Sequence, residues 1–339
     1  MDKIAIIGTG LIGASLGLAI KRAGIKDVHI VGSDINRGHA SKAQKMGAVD
    51  QVEGSLVSAA KDAEIVIIAT PVMAIKDAME IIAPHLKEGC LVTDTGSSKG
   101  TVMEWAEQYL PRNVNFIGGN PIVGKEGGGP DAAVNSLFQD RPYCIIPAKR
   151  ASQDSVKLMT DMLRSIGSKP FYMDAGEHDS FVSAVSHLPF LLSVALVSCA
   201  SKSPSWDDIA KVASEPYKNL TSLASGDPAT YRDIFLGKDQ SIVYWIDTFI
   251  SELYEIRKII VSDKDGKREA LEKTFSQAFV ARTKWLAGLV TSASQAAANR
   301  ERIPSATEGF MEMFTGDAEA RRRLFGWGSR RDRDSKDKR

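Results

Sequence analysis

The stretch KIAIIGTGLIGASLGLAI, residues 3–20, passes from an apolar run through a glycine turn into a helical pattern. Residues 3–7 are rich in β-branched side chains, and residues 11–23 have helical periodicity that Gly24 closes. Residues 28–31 form a second apolar run. This order predicts a strand, a helix and a second strand, the unit from which parallel sheets are built.

The turn GTGLIG places Gly8, Gly10 and Gly13 between the predicted strand and helix. In dinucleotide sites the first glycine makes a tight turn, the second lets the backbone approach a pyrophosphate, and the third lets the helix pack closely. The helix N-terminus attracts the anion. Asp34, at the end of the next predicted strand, is placed to accept hydrogen bonds from the adenosine ribose. Its carboxylate repels a 2′-phosphate and so favours NAD, although Arg37 leaves NADP open.

Two later turns extend this predicted site. ATP, residues 69–71, closes the apolar run IVIIA, and DTGSSKG, residues 94–100, follows the run LVT. The carboxyl ends of strands meet the ligand in such sheets, although each turn alone is equally consistent with ordinary turn chemistry. We predict that ten residues bind the cofactor: Gly8, Gly10, Leu11, Ile12, Gly13, Asp34, Ala69, Thr70, Pro71 and Thr95.

The remaining pattern predicts the fold class and three regions. Apolar runs continue to residues 169–173, and only helical segments follow. We predict an α/β Rossmann-type, doubly wound parallel sheet followed by an all-α domain. The predicted regions are an NAD-binding Rossmann domain (1–174), a helical domain (175–300) and an extension with a basic, disordered tail (301–339).

Composition limits the function classes. The formal net charge is +1, but residues 321–339 alone carry nine Lys/Arg against three Asp/Glu, so the preceding chain is net acidic and has no nucleic-acid-binding pattern. Three distant cysteines and five unclustered histidines predict neither disulfides nor a metal site. The longest apolar run, residues 188–200, is too short to cross a bilayer, and the N-terminus begins a strand rather than a signal peptide. We expect a cytoplasmic protein without membrane partners.

Six segments carry a family resemblance: GTGLIGASLG, VTDTGSSKG, GGNPIVGKE, LFQDRPYCIIP, EHDSFVSAVSHLP and LASGDPATYRDI. In this order and spacing they resemble the prephenate/arogenate dehydrogenase family of tyrosine biosynthesis, over residues 1 to about 257. The resemblance implies a Rossmann domain, then a helical substrate domain that forms a homodimer. It also implies that NAD(P) oxidises the cyclohexadienyl ring of a small carboxylate substrate while a ring carboxylate leaves as carbon dioxide.

The resemblance also assigns residues. The serine and lysine of the family's DxxSxK turn fall on Ser97 and Lys99, and the histidine of SHLP falls on His187. Ser97 and His187 are expected to polarise the substrate hydroxyl, and Lys99 and Gly124 to contact the substrate. The EHD segment contributes His178 and Asp179.

A structural alternative stands beside this assignment. Asp179, Ser183 and His187 share one face of a predicted helix, where a satisfied internal polar cluster is as good an interpretation as a substrate role.

Four positions depart from the family pattern, and all belong to the family's substrate pocket. Family members have His where this chain has Asn120 and Phe190, Arg where it has Ser222, and Asn where it has Lys238. Asn120 can orient a hydroxyl but cannot act as its base, because an amide takes no proton at neutral pH. Four basic residues could be cations that replace the family's missing groups or could be solvated surface charges: Lys125, Lys218, Arg232 and Lys238.

Three functional hypotheses follow. The first is NAD-dependent oxidative decarboxylation of prephenate to 4-hydroxyphenylpyruvate or arogenate to tyrosine, with Ser97, Asn120 and His187 as catalytic residues and Lys99, Gly124, Phe190, Ser222 and Lys238 around the substrate. The second is a dehydrogenase of the same fold acting on a different small carboxylate. The third is an NAD-binding protein without catalysis.

Overall fold

The computed structural model of the chain describes residues 2–124, 128–236, 240–262 and 265–288. The predictions for Lys125, Lys238 and the 301–339 extension lie outside these residues. The first half of the chain forms one sheet of eight strands: β1 (Asp2–Ile7), β2 (Val28–Ser33), β3 (Gln51–Val52), β4 (Ile65–Ile68), β5 (Leu91–Asp94), β6 (Asn115–Pro121), β7 (Pro142–Pro147) and β8 (Lys169–Tyr172).

The strand order is β3-β2-β1-β4-β5-β6-β7-β8, and β1 to β6 are mutually parallel. The order reverses beside β1, which lies between β2 and β4, so the predicted Rossmann-type sheet is confirmed. Strand β7 departs from the parallel direction of the other strands, because it pairs antiparallel with β6. Parallel pairing needs a crossover, whereas the described part of residues 122–141 contains only the 3₁₀ turn Pro130–Ala132.

Helices cover both faces of the sheet: α1 (Leu11–Arg22), α2 (Arg37–Lys45), α3 (Leu56–Ala60), α4 (Val72–Ile82), α5 (Gly100–Tyr109) and α6 (Gln153–Ser165). Because strand side chains alternate between faces, Ile4 and Ile6 of β1 join one core cluster and Ala5 and Ile7 join the other. The first cluster packs against α1 and α6, and the second against α4 and α5. The sheet is therefore doubly wound.

After β8 the described residues contain helices only: α7 (Ala175–Val182), α8 (Leu188–Ser201), α9 (Trp206–Val212), α10 (Glu215–Thr221), α11 (Pro228–Phe235), α12 (Gln240–Val261) and α13 (Lys267–Leu286). This confirms the predicted fold class. The first compact unit spans Met1–Leu253 and ends within α12, whereas the predicted domain boundary at residue 174 stays a prediction.

The helical stretch Ala175–Ser201 is long and apolar enough to cross a membrane by length and composition alone, with a mean hydropathy of 1.8 in its most apolar window. The argument that excluded a span from the length of residues 188–200 was therefore wrong, because the helix begins earlier. His178 and Asp179 near its start are buried and bond to residues of the sheet domain. These bonds tie the start of the stretch to the sheet domain, and 33% of its most apolar window is buried.

Candidate active site

The glycine turn between β1 and α1 has two closed positions, where an added Cβ atom would clash, and one open position, where it would not. Gly8 has φ of 91°, and a Cβ atom there would lie 2.5 Å from the Ala69 carbonyl oxygen. A Cβ atom on Gly13 would lie 1.9 Å from the Gly8 carbonyl oxygen. Among the described residues, a Cβ atom on Gly10 would meet no atom within 4 Å, and the N-cap of α1, Gly10 itself, makes no side-chain cap. The turn thus leaves space at a helix N-terminus, as a pyrophosphate requires.

Asp34 is fixed beside this turn at the end of β2. Its Oδ2 accepts hydrogen bonds from the Thr9 amide at 2.7 Å and the Thr9 hydroxyl at 3.1 Å, and its Oδ1 accepts one from the Asn36 amide at 2.8 Å. The neighbouring Ile35 side chain is fully exposed. An anchored carboxylate next to an apolar surface fits an adenosine ribose and its base, so these residues fit the predicted dinucleotide.

The other predicted cofactor residues lie at the same edge of the sheet. The Ala69 amide donates to the Ile7 carbonyl at 2.7 Å, and the Thr95 amide donates to the Ile68 carbonyl at 3.1 Å. No group in the described part of the chain forms a hydrogen bond with the buried Thr70 hydroxyl, and Pro71 precedes α4. Leu11 and Ile12 open α1. The structure brings these residues together, and their contact with a cofactor stays a prediction.

Asp94 and Lys99 form a buried ion pair close in the chain to the predicted catalytic residue Ser97. Both side chains are fully buried and in direct contact, and Lys99 Nζ also donates to the Gly119 carbonyl at 2.9 Å. Asp94 accepts hydrogen bonds from the amides of Gly96, at 2.8 Å, and Gly119, at 3.1 Å. Burial lowers the pKa of the Lys99 amino group, and the Asp94 charge opposes this shift.

This pair fixes the backbone beside both predicted catalytic positions, since Gly96 precedes Ser97 and Gly119 precedes Asn120. Lys99 was predicted to contact the substrate. Its amino group is instead engaged with Asp94 and Gly119, so the contacts favour a role in holding the two turns together.

Asp179 reaches from α7 to the start of α5. Its two carboxylate oxygens accept hydrogen bonds from the Lys99 and Gly100 amides, each at 2.7 Å, and Oδ1 lies 2.7 Å from His178 Nδ1. Burial raises the pKa of Asp179, but the bonds from His178 and the two amides outweigh it, so the pKa is lowered. Asp179 is therefore a satisfied internal carboxylate, which supports the polar-cluster interpretation for this residue.

Asn120 lies within β6, with 5% of its surface exposed. Its Nδ2 atom lies 2.9 Å from Nε2 of His178, which is completely buried. The prediction of site residues left out His178, although its place beside Asp179 in the EHD segment was an available signal. The sheet domain and the first helix after it thus meet directly at Asn120.

Aromatic side chains lie against Phe190, one of the predicted substrate-binding residues. The Phe190 and Tyr231 rings are stacked, with centroids 3.3 Å apart, and Phe235 lies 6.0 Å from Phe190. His187 meets the Phe235 ring edge-on at 5.9 Å. A π-helical turn, Ser183–His187, separates α7 from α8, and such turns occur often at functional sites. The neighbours of Phe190 are therefore largely aromatic.

The remaining predicted substrate residues make local contacts. Ser222 is exposed and its hydroxyl donates to the Asn219 carbonyl at 2.9 Å. Gly124 is exposed, and Ser97 is half-buried. Of the candidate cations that the structure describes, Lys218 pairs with Glu215 and Arg232 with Asp233. These contacts favour solvated surface charges. Within the described ranges no three His, Cys, Asp or Glu side chains form a metal-binding group.

The open glycine turn and the anchored Asp34 lie at the carboxyl edge of a Rossmann sheet, and polar residues of a second region close over that edge. This is the construction of a dinucleotide-dependent dehydrogenase. Residues 16–172 match the nucleotide-binding domain of prephenate dehydrogenase, and residues 174–277 match its dimerization domain. The chain belongs to the prephenate dehydrogenase family and is an oxidoreductase.

Individual relatives agree with this assignment. The chain is 33% identical over 261 residues to a prephenate dehydrogenase of Bacillus subtilis, covering 76% of this chain and 70% of that protein. It is 30% identical over 265 residues to a cyclohexadienyl dehydrogenase of Zymomonas mobilis, covering 78% and 89%. The crystal structure of prephenate dehydrogenase from A. aeolicus with hydroxyphenyl propionate and NAD+ superposes with a TM-score of 0.75 at 28% identity, over 84% of this chain and 98% of that one.

Proposed function

We propose that the protein catalyses the NAD-dependent oxidative decarboxylation of a cyclohexadienyl acid, either prephenate or arogenate. One observation carries the proposal: the open turn at Gly10 and the Asn120 amide lie at the carboxyl ends of parallel strands in the same sheet. A dinucleotide bound at the first position extends along this edge toward the second. Family membership supplies the substrate class.

We propose NAD rather than NADP as the cofactor. Asp34 already accepts three hydrogen bonds from Thr9 and Asn36, which hold its carboxylate beside the glycine turn, where we propose that the ribose binds. A 2′-phosphate there would meet this negative charge at short range, while ribose hydroxyls would donate to it. When bound, NAD supplies the acceptor for a hydride.

The proposed reaction breaks two bonds and makes the ring aromatic. The ring carbon that carries the hydroxyl loses its hydrogen as hydride, and the ring–carboxylate bond breaks as carbon dioxide leaves. The electron pair from that bond completes the aromatic ring, and the hydroxyl oxygen ends as a phenol. As hydride departs, the hydroxyl becomes more acidic, so a hydrogen bond from it to Asn120 Oδ1 strengthens in the transition state.

Because the phenol keeps a proton, an acceptor without basicity can still assist this reaction. An amide acceptor is weaker than the imidazole of the family, and loss of a general base costs roughly 10²–10⁴ in rate. We therefore expect turnover to be slow for the family. Ser97 and His187 are the remaining proposed contacts of the hydroxyl.

The aromatic cluster favours a second candidate function, dehydrogenation of a different small carboxylate. Phe190 stacks on Tyr231, so the pocket near position 190 offers an apolar surface instead of a hydrogen-bonding imidazole. Such a pocket would prefer a substrate with a less polar ring.

The two functions are separated by following NADH absorbance with prephenate and arogenate, each with NAD and NADP, and then with a panel of cyclic and α-keto acids. We expect NADH from prephenate or arogenate. Turnover only of another acid would establish the second candidate. Tight NAD binding in calorimetry without turnover of any acid would overturn both and leave a non-catalytic NAD-binding protein.

A triple variant tests the pocket directly. Asn120→His, Phe190→His and Ser222→Arg together should raise prephenate turnover by at least tenfold, since they restore the family's base and cation. Phe190→Leu is the control, because it changes the aromatic cluster without adding a polar group. No gain in the triple variant would count against a simple exchange of pocket residues.

We propose a cytoplasmic homodimer formed through the helical region. The matching family domain is a dimerization domain, and apolar side chains such as Phe181, Val185 and Tyr244 are at least half exposed on α7, the π turn and α12. A second copy would cover surface that is otherwise unusually apolar. Light scattering should give twice the chain mass, and Val185→Glu should shift it toward the monomer.

A further inference from the structure

Three polar side chains form a chain of contacts behind the proposed hydroxyl-binding position. His178 Nδ1 lies 2.7 Å from Asp179 Oδ1, and His178 Nε2 lies 2.9 Å from Asn120 Nδ2. His178 is completely buried and Asn120 almost so. Asp179 itself is held by the amides of Lys99 and Gly100.

Donor and acceptor chemistry fixes the proton positions in this chain. An ionised carboxylate only accepts hydrogen bonds, so the proton between Asp179 and His178 must lie on Nδ1. Nε2 faces the Asn120 amide nitrogen, so it must be the ring nitrogen that presents a lone pair. The amide nitrogen of Asn120 can only donate, and it does so to this lone pair.

This arrangement also orients the other half of the Asn120 amide. With Nδ2 committed to His178, Oδ1 is the atom left to face a bound molecule. Among the described residues Oδ1 has no hydrogen-bond partner, and it is not one of the fully buried unpartnered atoms. A carbonyl oxygen can accept from a substrate hydroxyl, whereas the NH₂ group could not.

We propose that His178 is a positioning residue that, oriented by Asp179, holds Asn120 with its carbonyl oxygen toward the substrate hydroxyl. The inference rests on the proposed function and explains how an amide serves where the family carries an imidazole. If the Asn120 amide were free to rotate, its NH₂ group could replace its carbonyl oxygen next to the substrate. The contact with His178 prevents this rotation, so the site selects substrates that donate a hydrogen bond to Asn120.

The first test needs no turnover. In ¹⁵N NMR of the unmodified protein, we expect the His178 side chain to be neutral with its proton on Nδ1, and the Asn120 NH₂ protons to lie close to its ring. A proton on Nε2 would overturn the proposal, because the Nε2–H group and the Asn120 NH₂ group would then be two donors facing each other.

The second test is kinetic. His178→Phe keeps the ring shape and removes both nitrogens, and His178→Gln keeps an acceptor near the Nε2 position. We expect His178→Phe to lower kcat about 10- to 100-fold, with the KM for substrate and the Kd for NAD changed less than about threefold, because the lost alignment acts mainly in the transition state. His178→Gln should recover most of kcat. The control is His85→Phe at an exposed position.

The outcomes separate the two proposals. Equal damage in His178→Phe and His178→Gln, with Asn120→Ala still active, would mean that His178 meets the substrate itself and would overturn the positioning role. If the unmodified protein turns over no acid, the proposed function fails, while the NMR result still decides whether His178 orients Asn120.

Discussion

The glycine turn and the Asn120 region lie along the same sheet edge but are built in different ways. The glycine turn is local, since Gly8, Gly10 and Gly13 lie within six residues and act through their backbone. The Asn120 region joins three distant segments through Asp94, Lys99, His178 and Asp179. The first is defined by missing side chains, and the second by side chains that bond to one another.

The two regions should therefore tolerate different substitutions. A local turn made of glycine fails when any side chain is added at a closed position, whatever its chemistry. A network of charges and hydrogen bonds fails when one partner is removed and the others stay buried. The four expectations below test this contrast, from the largest effect to the smallest.

Removing the buried cation should have the largest effect. Lys99→Met leaves the Asp94 carboxylate buried without its partner, and we expect a loss of about 3–5 kcal/mol in the free energy of unfolding. Urea denaturation measures it. Lys169→Met, which removes an exposed ion pair with Asp140, is the control and should cost about 0–1 kcal/mol. Similar losses of stability in both variants would show that the Asp94–Lys99 pair does not stabilise this site.

Adding one methyl group at a closed glycine should come next. Gly13→Ala places a carbon 1.9 Å from the Gly8 carbonyl oxygen, and we expect a loss of roughly 3 kcal/mol in stability together with weaker NAD binding. Gly10→Ala should keep the melting temperature but raise the Kd for NAD at least about tenfold, because its methyl group occupies the pyrophosphate space.

Gly54→Ala is the matched control, since a Cβ atom there also meets no atom of the described residues within 4 Å but lies outside the turn. Calorimetry and thermal unfolding should find both its stability and its NAD affinity unchanged. A Gly10→Ala protein that binds NAD as well as Gly54→Ala would place the pyrophosphate elsewhere.

Acid should weaken the second region through Asp179. The folded pKa of this carboxyl is lowered below its ordinary value of 3.8, so its stabilisation is complete above the unfolded pKa and is lost as pH falls through the folded pKa. Asp179→Asn should cost about 1–2 kcal/mol at neutral pH, since one cap of α5 is weakened. The difference from the unmodified protein should shrink as pH falls below 3.8.

Unfolding free energies measured across this pH range check the expectation. Asp161→Asn, at an exposed position beside Arg164, should leave the pH dependence unchanged. A constant difference between the Asp179→Asn and unmodified proteins down to the lowest pH would mean that the carboxyl does not titrate with folding.

The smallest effect should come from Ile35. Its side chain is fully exposed beside Asp34, and Ile35→Ser should raise the Kd for NAD about three- to tenfold without changing stability, because an adenine ring would lose part of its apolar surface. Ile25→Ser, another exposed position, is the control. Equal NAD affinity in both variants would show that adenine does not lie on Ile35.

Most of the fold could be predicted from the sequence because its signals are local. The predicted boundaries of β1, α1, β2, β4, β5 and β8 agree with the structure within a few residues, since apolar runs and glycines mark them. Strand β3 was missed because two residues, Gln51 and Val52, show no periodicity. The reversal of β7 was missed because direction depends on the connection, which leaves no pattern in the strand itself.

The candidate site divides in the same way. The amino-acid sequence by itself determined the glycine turn, the acidic residue Asp34 at the end of the next strand and the change from a sheet to helices, because each depends on residues close together in the chain. Only the tertiary structure decided that His178 meets Asn120, that Asp179 caps α5 and that Lys99 turns inward to Asp94. Those contacts join residues up to 80 positions apart, and a buried polar side chain finds its partner through packing rather than through neighbours in sequence.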